Sequence, residues 1–296
     1  MPQTLYRTDM PTLKLAGRGK VRDIYDLGDT LLLVASDRLS AFDVVFPDPI
    51  PGKGRVLTQV SAYWFRKTSR IVKSHFLTTD LADFPEELKP YAGQLQGRAM
   101  LARKAEPLAV ECVVRGYLDG SAWKEYASKG AVASGHDLPP GLQQRSLLAQ
   151  PILTPATKAE RGSHDINITE EQAAGLIGKE AFEFVRQKSL ELYRFGHEAM
   201  LPKGIVLGDT KFEFGWMDGR PILIDECMTP DSSRFWEAET YRPGPHAAFS
   251  FDKQFVRDYV ESIGWAKTPP APPLPPDIIA KTAERYERIA QLILAD

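Results

Sequence analysis

The spacing of apolar and polar positions changes several times along the chain, and each change marks a new kind of element. Up to about Phe46, short apolar runs stand between glycine turns: Lys20 to Tyr25, a turn at Gly28 and Asp29, then the continuous run Leu31 to Ala35. Runs of that length predict an antiparallel β-ribbon. Pro47, Pro49 and Pro51 interrupt it, and Val56, Val60, Tyr63 and Trp64 then recur at helical spacing, predicting a helix over 56–68. Two strands are expected near 99–104 and 108–114, followed by a helix near 121–128.

A glycine- and proline-rich stretch over 130–155 is long for a plain connection and reads as a functional surface. Beyond it, Thr169 and Gln172 have the spacing of a capping box, Phe184, Leu190, Tyr193 and Met200 share a helical stripe, and Gly178 marks a break. Strand patterning returns after Pro202 and runs through Ile224. Three Pro-Pro pairs between Pro269 and Pro276 exclude a helix there, and an amphipathic helix is expected from Asp277. Strands, helices and strands again give an α+β order, not a βαβ alternation. The expected architecture is an antiparallel, β-rich N-terminal lobe over 1–115 packed on a larger α+β lobe over 116–296.

Composition narrows the function. A chain of 296 residues, 43% apolar and 26% charged, can bury a core without staples. With 37 Lys and Arg against 39 Asp and Glu, it has no long-range basic field for nucleic acid or anionic lipid. Cys112 and Cys227 lie in apolar runs and read as reduced core thiols. Neither a secretion signal nor a membrane span is legible, so the cytoplasm is the expected compartment. No P-loop or dinucleotide fingerprint occurs, so bound ATP would have to sit on a glycine-containing β-ribbon, as in kinase-like folds.

The densest chemistry runs from Gly208 to Arg234. Strand alternation places Asp209, Lys211 and Glu213 on one face and Thr210, Phe212 and Phe214 on the other. Asp218-Gly219 signals a hairpin turn. A two-residue loop would set Ile224 opposite Glu213; a three-residue loop would set Asp225 there and put two carboxylates side by side. Such a pair is held together by a cation, as Mg²⁺ on nucleotide phosphates requires. Thr229 to Arg234 adds hydroxyls, Asp231 and an Arg able to grip an anion bidentately, or else forms a turn in which Asp231 N-caps a following helix.

GDTKFEFG, IDECMTPDSSRFW, ECVVRGYLDGSAWKEY, GKVRDIY with SDRLSAFD, and PATKAERGSHDINI, in that set and order, resemble the SAICAR synthetase family from about Gly17 to Tyr259. The resemblance implies an ATP-dependent ligase of purine biosynthesis. It would join L-aspartate to the carboxylate of carboxyaminoimidazole ribotide (CAIR) through an acyl phosphate, releasing ADP and phosphate. It also implies a kinase- or ATP-grasp-like nucleotide lobe, and ATP and Mg²⁺ as cofactors. Carried over by motif, Glu213 and Asp225 would be Mg²⁺ ligands. Lys20 and Arg22 would contact phosphate, Lys104 would lie near the nucleotide, and the backbone of Glu111 and Cys112 would read adenine. Arg115, Ser121, Asp209, Lys211 and Arg234 would form the CAIR site, and Lys158 and Asp165 a segment near the substrates. Asp37, Ser40 and Asp43 would lie near the reaction centre. His164 is an unconvincing general base, because the incoming amine can lose its proton to phosphate or water. Lys53, Arg55 or Lys253 would serve the aspartate carboxylates. The family's shorter members form dimers; this chain's extra Pro-rich tail either covers that surface or wraps its own domain, and a monomer is the preferred reading.

Overall fold

The computed structural model describes residues 4–158, 166–244 and 248–295. The chain begins with β1 (Lys14–Arg18), β2 (Arg22–Asp26) and β3 (Thr30–Ala35). A small hairpin of β4 (Ser40–Ala41) and β5 (Val44–Val45) precedes α1 (Lys53–Lys67). Then come β6 (Phe76–Thr78), the single turn α2 (Ala92–Leu95) and β7 (Ala99–Arg103), completing a sheet in the order β1-β2-β3-β7-β6. The chain passes to a second sheet through Lys104 and Ala105. There β8 (Glu106–Tyr117), α3 (Gly120–Lys129), β9 (Leu147–Thr157), α4 (Glu170–Ile177), α5 (Lys179–Met200), β10 (Ile205–Met217), β11 (Arg220–Ile224) and β12 (Ser233–Glu237) follow in turn. α6 (Gln254–Ser262) and α7 (Pro276–Leu294) close the chain.

Every strand pairing in both sheets is antiparallel, which gives the α+β class. The expected division at 115/116 falls inside β8, which pairs along its length with β10 and β9. In the second sheet the order is β11-β10-β8-β9, and β12 takes the other half of β10. α5 packs on one face through Phe182, Val185, Leu192, Tyr193 and Met200, leaving the other face to polar residues; of the expected stripe, Tyr193 and Met200 are buried, Leu190 is partly buried and Phe184 is exposed. The capping box forms: Thr169 Oγ1 accepts from Gln172 N–H at 3.0 Å, and Gln172 Oε1 from Thr169 N–H at 2.9 Å. Gly178 separates α4 from α5 as its position suggests.

Three local expectations give way. The second half of the 130–155 stretch is strand β9, because Pro151 and Pro155 do not prevent an edge strand from pairing with β8. Thr229 to Arg234 leads into β12 rather than a helix, so Asp231 caps nothing. α1 starts at Lys53, three residues before the apolar stripe, because its first residue is a buried lysine that a hydrophobic pattern cannot reveal.

The Pro-rich tail wraps its own chain. Leu274 is buried with Leu39, Phe46, Ile50, Val256 and Val260, and its N–H donates to Asp48 Oδ2 at 2.7 Å. Trp265 meets Phe46 edge-on, with ring centroids 5.5 Å apart. Among the described residues, no helix is long and apolar enough to cross a membrane.

Candidate functional site

β10 supplies the backbone of the site. Thr210, Phe212 and Phe214 are turned into the core, while Asp209, Lys211 and Glu213 line the opposite face. Glu213 lies directly across the ladder from Glu111 on β8. Two carboxylates so placed repel, and Lys211 offsets this by bridging them, with Nζ 2.6 Å from Glu111 and 3.0 Å from Glu213. Lys158 adds a second ammonium 2.6 Å from Glu213. Burial raises the Glu213 pKa, but Lys211 and Lys158 outweigh it and hold the group down at about 2.

At the other end of the face, Arg115 reaches across from β8. It donates to Asp209 Oδ2 at 2.8 Å, to Ser121 Oγ at 2.9 Å and, through Nε, to Thr154 Oγ1 at 2.8 Å. Arg234, opposite Asp209 on β12, donates to the same carboxylate oxygen. Arg115, Ser121, Asp209 and Arg234 are thus one cluster, built from three strands and the start of α3. Gly120 makes the approach possible: it has φ +62°, and a Cβ there would overlap the Arg234 guanidinium.

The hairpin takes the other register. Asp218 and Gly219 form a two-residue loop with Met217 opposite Arg220, so Ile224, not Asp225, lies opposite Glu213. The three-residue register, on which a side-by-side carboxylate pair depended, does not form. Asp225 joins the charged region by leaving the strand. At φ +68° it is left-handed, a strained state for a residue with a Cβ. Its carboxylate pairs with Arg22 of β2, which also holds Glu226 at 2.8 Å. Burial pushes Asp225 up to about 6; Glu213 and Glu226 add to the rise, while Arg22 and Lys211 oppose it.

Other candidates lie apart or prove structural. Asp37 is fully buried and takes up backbone N–H groups of Leu5 at 2.7 Å and Gly54 at 2.8 Å, and Arg98 at 3.0 Å. It fastens the N-terminal segment to α1 and is closed off from ligands. Cys112 points into the core beneath α5, where burial pushes its thiol up to about 12. Both neighbours of this central strand are taken, Glu111 and Cys112 pairing with β10 on one side and β9 on the other, so neither offers a free hinge edge. Ser40 is buried in the small hairpin, and Lys20 pairs with Asp43 beside it. Lys104 pairs with Asp26, at the far end of β2 from Arg22. Asp165 and His164 lie outside the described residues.

Lys53 and Lys253, suggested for the aspartate carboxylates, and Asp231, suggested for a substrate, instead meet one another in a buried ion cluster. Lys53, with no exposed side-chain surface, donates to Asp231 at 2.6 Å; Lys253 lies 3.2 Å from the same carboxylate, and Tyr286 donates to it at 2.7 Å. The four residues come from α1, the loop after β11, the segment before α6, and α7. Only the fold unites them, and no local pattern could have done so.

A polar sheet face with acid clusters bridged by guanidinium and ammonium groups belongs to an enzyme that handles several anionic groups at once. The family model for SAICAR synthetase matches residues 15–272. A phosphoribosylaminoimidazole-succinocarboxamide synthase from Desulfosudis oleivorans is 55% identical over 99% of this chain and 100% of its own length. The enzyme of that name from Geobacter sulfurreducens is 54% identical over 97% of this chain and 96% of its own. Among solved structures, the SAICAR synthase of Saccharomyces cerevisiae complexed with SAICAR superposes with a TM-score of 0.88 at 38% identity, covering 98% of both chains. The chain belongs to the SAICAR synthetase family. It is an ATP-dependent ligase of purine biosynthesis that joins aspartate to CAIR.

Proposed function

We propose that the two ends of the β10 face divide the reaction between them. The Asp209 end, with Arg115, Ser121 and Arg234, takes CAIR. The Glu213 end, with Lys158, Arg22 and Asp225, takes the reacting phosphates, and Lys211 stands between the two. The observation that carries this reading is the convergence of Arg115, Ser121 and Arg234 around Asp209 on the strand that also bears Lys211 and Glu213.

Glu213 and Asp225 are the residues that would hold Mg²⁺. The fit rests on Asp225, whose carboxyl is raised by burial and by the neighbouring Glu213 and Glu226 charges, a destabilisation that a divalent cation would relieve. Among the described residues no group of three or more His, Cys, Asp or Glu could hold a metal ion. A two-carboxylate site of this kind suits Mg²⁺, which commonly completes its shell with phosphate oxygens and water. The ion would supply charge neutralisation at the phosphates.

A carboxylate is a poor acyl donor because oxide is a poor leaving group. In the proposed sequence a CAIR carboxylate oxygen attacks the γ-phosphorus of ATP, and the bond to the bridging oxygen breaks to release ADP. The aspartate amine then attacks the acyl carbon and phosphate departs. The amine's surplus proton goes to phosphate or water, so no enzyme base is required. Lys211 and Lys158 stabilise negative charge as it moves between phosphate and acyl oxygens. Lys20 and Arg22 contact ATP phosphates from the first sheet, which acts as the kinase- or ATP-grasp-like nucleotide lobe. Adenine recognition moves from Glu111 and Cys112 to the crossover at Lys104 and Ala105, where the backbone lies between the strands of the two sheets. The protein would act as a cytoplasmic monomer, its tail covering its own surface.

ADP release measured with CAIR, aspartate, ATP and Mg²⁺, leaving out one component at a time, tests the assignment. Turnover is expected only in the complete mixture; ADP formation without aspartate, with a stable phosphorylated product, would indicate a kinase instead. The position of Arg234 has its own test. Gly120→Ala should introduce about 1 kcal/mol or more of backbone strain and displace the guanidinium. The expected result is a raised KM for CAIR with little change in the KM for ATP, and equal rises in both would count against Arg234 as a CAIR contact.

A further inference from the structure

Between Asp37, which anchors the N-terminal segment, and Asp43, which pairs with the Lys20 ammonium, lies Arg38, a buried cation with no part in either contact. Its guanidinium is directed inward. Nε donates to the Lys20 carbonyl at 2.9 Å, Nη2 to the Gly19 carbonyl at 3.1 Å and to Asp23 Oδ1 at 2.7 Å, and Nη1 to the Tyr6 carbonyl. Ser36, two residues earlier, takes the next carbonyl of the same turn: its N–H donates to Val21 O at 2.9 Å and its hydroxyl at 2.8 Å. The turn between β1 and β2 is therefore held by its successive carbonyls at Gly19, Lys20 and Val21, all from one segment. Gly19 N–H closes it onto Arg22 O at 2.7 Å. A trans peptide is planar with its N–H opposite its C=O. Carbonyls drawn onto Arg38 thus set the N–H groups of Lys20 and Val21 facing away from it.

We propose that Arg38, supported by Ser36, is a positioning residue for nucleotide binding, fixing the turn that presents Lys20 and Arg22 to the ATP phosphates. This rests on the reading of those two residues as phosphate contacts and adds what keeps them in place. The arrangement divides Lys20 in two: a backbone pinned from inside and a side chain half exposed. Asp23, fully buried, supplies the counter-charge and also takes Thr8 N–H at 2.9 Å, Thr8 Oγ1 at 2.7 Å and Arg18 Nε at 3.1 Å. A buried guanidinium is costly unless matched, and this one is matched by backbone and Asp23 rather than by a substrate. Only a planar fork of donors serves Gly19, Lys20, Tyr6 and Asp23 together; an ammonium carries three donors on one nitrogen and cannot. A turn free to shift by about 1 Å would carry Lys20 off its target, an error that costs on the order of 100-fold in a well-aligned site.

The test is Arg38→Lys in the full chain, which keeps the charge and loses the planar grip. Calorimetric titration with ADP and Mg²⁺ is expected to show binding at least about tenfold weaker, and the KM for ATP should rise alike while the KM for CAIR changes by less than about twofold. A general loosening of the fold would move both KM values together; that result, or unchanged ADP binding, would overturn the positioning role. Lys20→Ala, which removes the ammonium and leaves the turn's carbonyls in place, separates the two readings. If it leaves ADP binding unchanged, the phosphate reading fails and the positioning role falls with it. If it weakens binding and Arg38→Lys does not, the positioning role alone is refuted. Should Arg38→Lys melt well below wild type, Ser36→Ala carries the same comparison. It removes one of two hydrogen bonds to the Val21 carbonyl, and ADP affinity is expected to fall about threefold with the KM for CAIR unmoved, an unchanged affinity counting against the role.

Discussion

Asp231→Asn should lower the melting temperature by roughly 6–10 °C at neutral pH, the consequence of about 3–5 kcal/mol lost when a buried ion pair is broken from one side. The replacement leaves the Lys53 ammonium, fully buried, without its 2.6 Å counter-ion. The amide's single remaining oxygen can accept from Tyr286 or from Lys53 but not serve both as the carboxylate does, which weakens the tie of α7 to α1. Burial already lowers the Lys53 pKa, with Asp231 the main opposing influence. In the variant that depression deepens, so the folded state binds fewer protons than the unfolded state as pH rises, and stability increases with pH. The deficit relative to wild type should therefore shrink by about pH 9. Thermal melts of both proteins across that range are the measurement. A deficit that stays constant would mean the loss is one of packing rather than of an unpaired charge.

The contrast between this cluster and β10 shows what the sequence could disclose. Asp209, Lys211 and Glu213 were legible because strand geometry has period 2, and one buried face fixes the phase. The capping box at Thr169 and the break at Gly178 were legible because their causes lie within a few residues. The pairing of Lys53, Lys253 and Tyr286 with Asp231 was not, because these contacts span far-separated segments, and the lysines and Asp231 read instead as groups facing a ligand. Asp37 shows the opposite error: its motif suggested chemistry, but its backbone and Arg98 partners make it a structural anchor. Cys112 was placed in the right strand and given the wrong task, since a central strand with both neighbours paired has no free edge to offer a base.

The hairpin register shows why a correct residue can be reached by a faulty route. Alternation assumes that both strands continue, so only a three-residue loop could bring Asp225 beside Glu213. The chain instead ends β11 at Ile224 and turns through left-handed Asp225, a state alternation cannot foresee. Strain of that kind, of order 1–3 kcal/mol, persists where the surroundings enforce it. Here Arg22 from the first sheet holds the carboxylate and so ties the proposed nucleotide lobe to the second sheet.

Glu213→Gln should cut turnover by at least about 100-fold, the scale of losing one charged group that stabilises the transition state. Stability should change far less, because Lys211 keeps its 2.6 Å contact with Glu111 and Lys158 is partly solvent-exposed. Removing the charge also relieves Asp225, whose raised pKa owes part of its shift to Glu213. Asp225 should then ionise at lower pH, while half-saturation by Mg²⁺ should move to higher concentration, since the amide replaces one of two anionic ligands. The two effects have opposite directions, which separates a metal site from general disturbance of the sheet. If Glu213→Gln retained wild-type turnover and Mg²⁺ dependence, the metal would have to be held elsewhere, and Lys211 and Lys158 would be organising the sheet rather than the reacting phosphates.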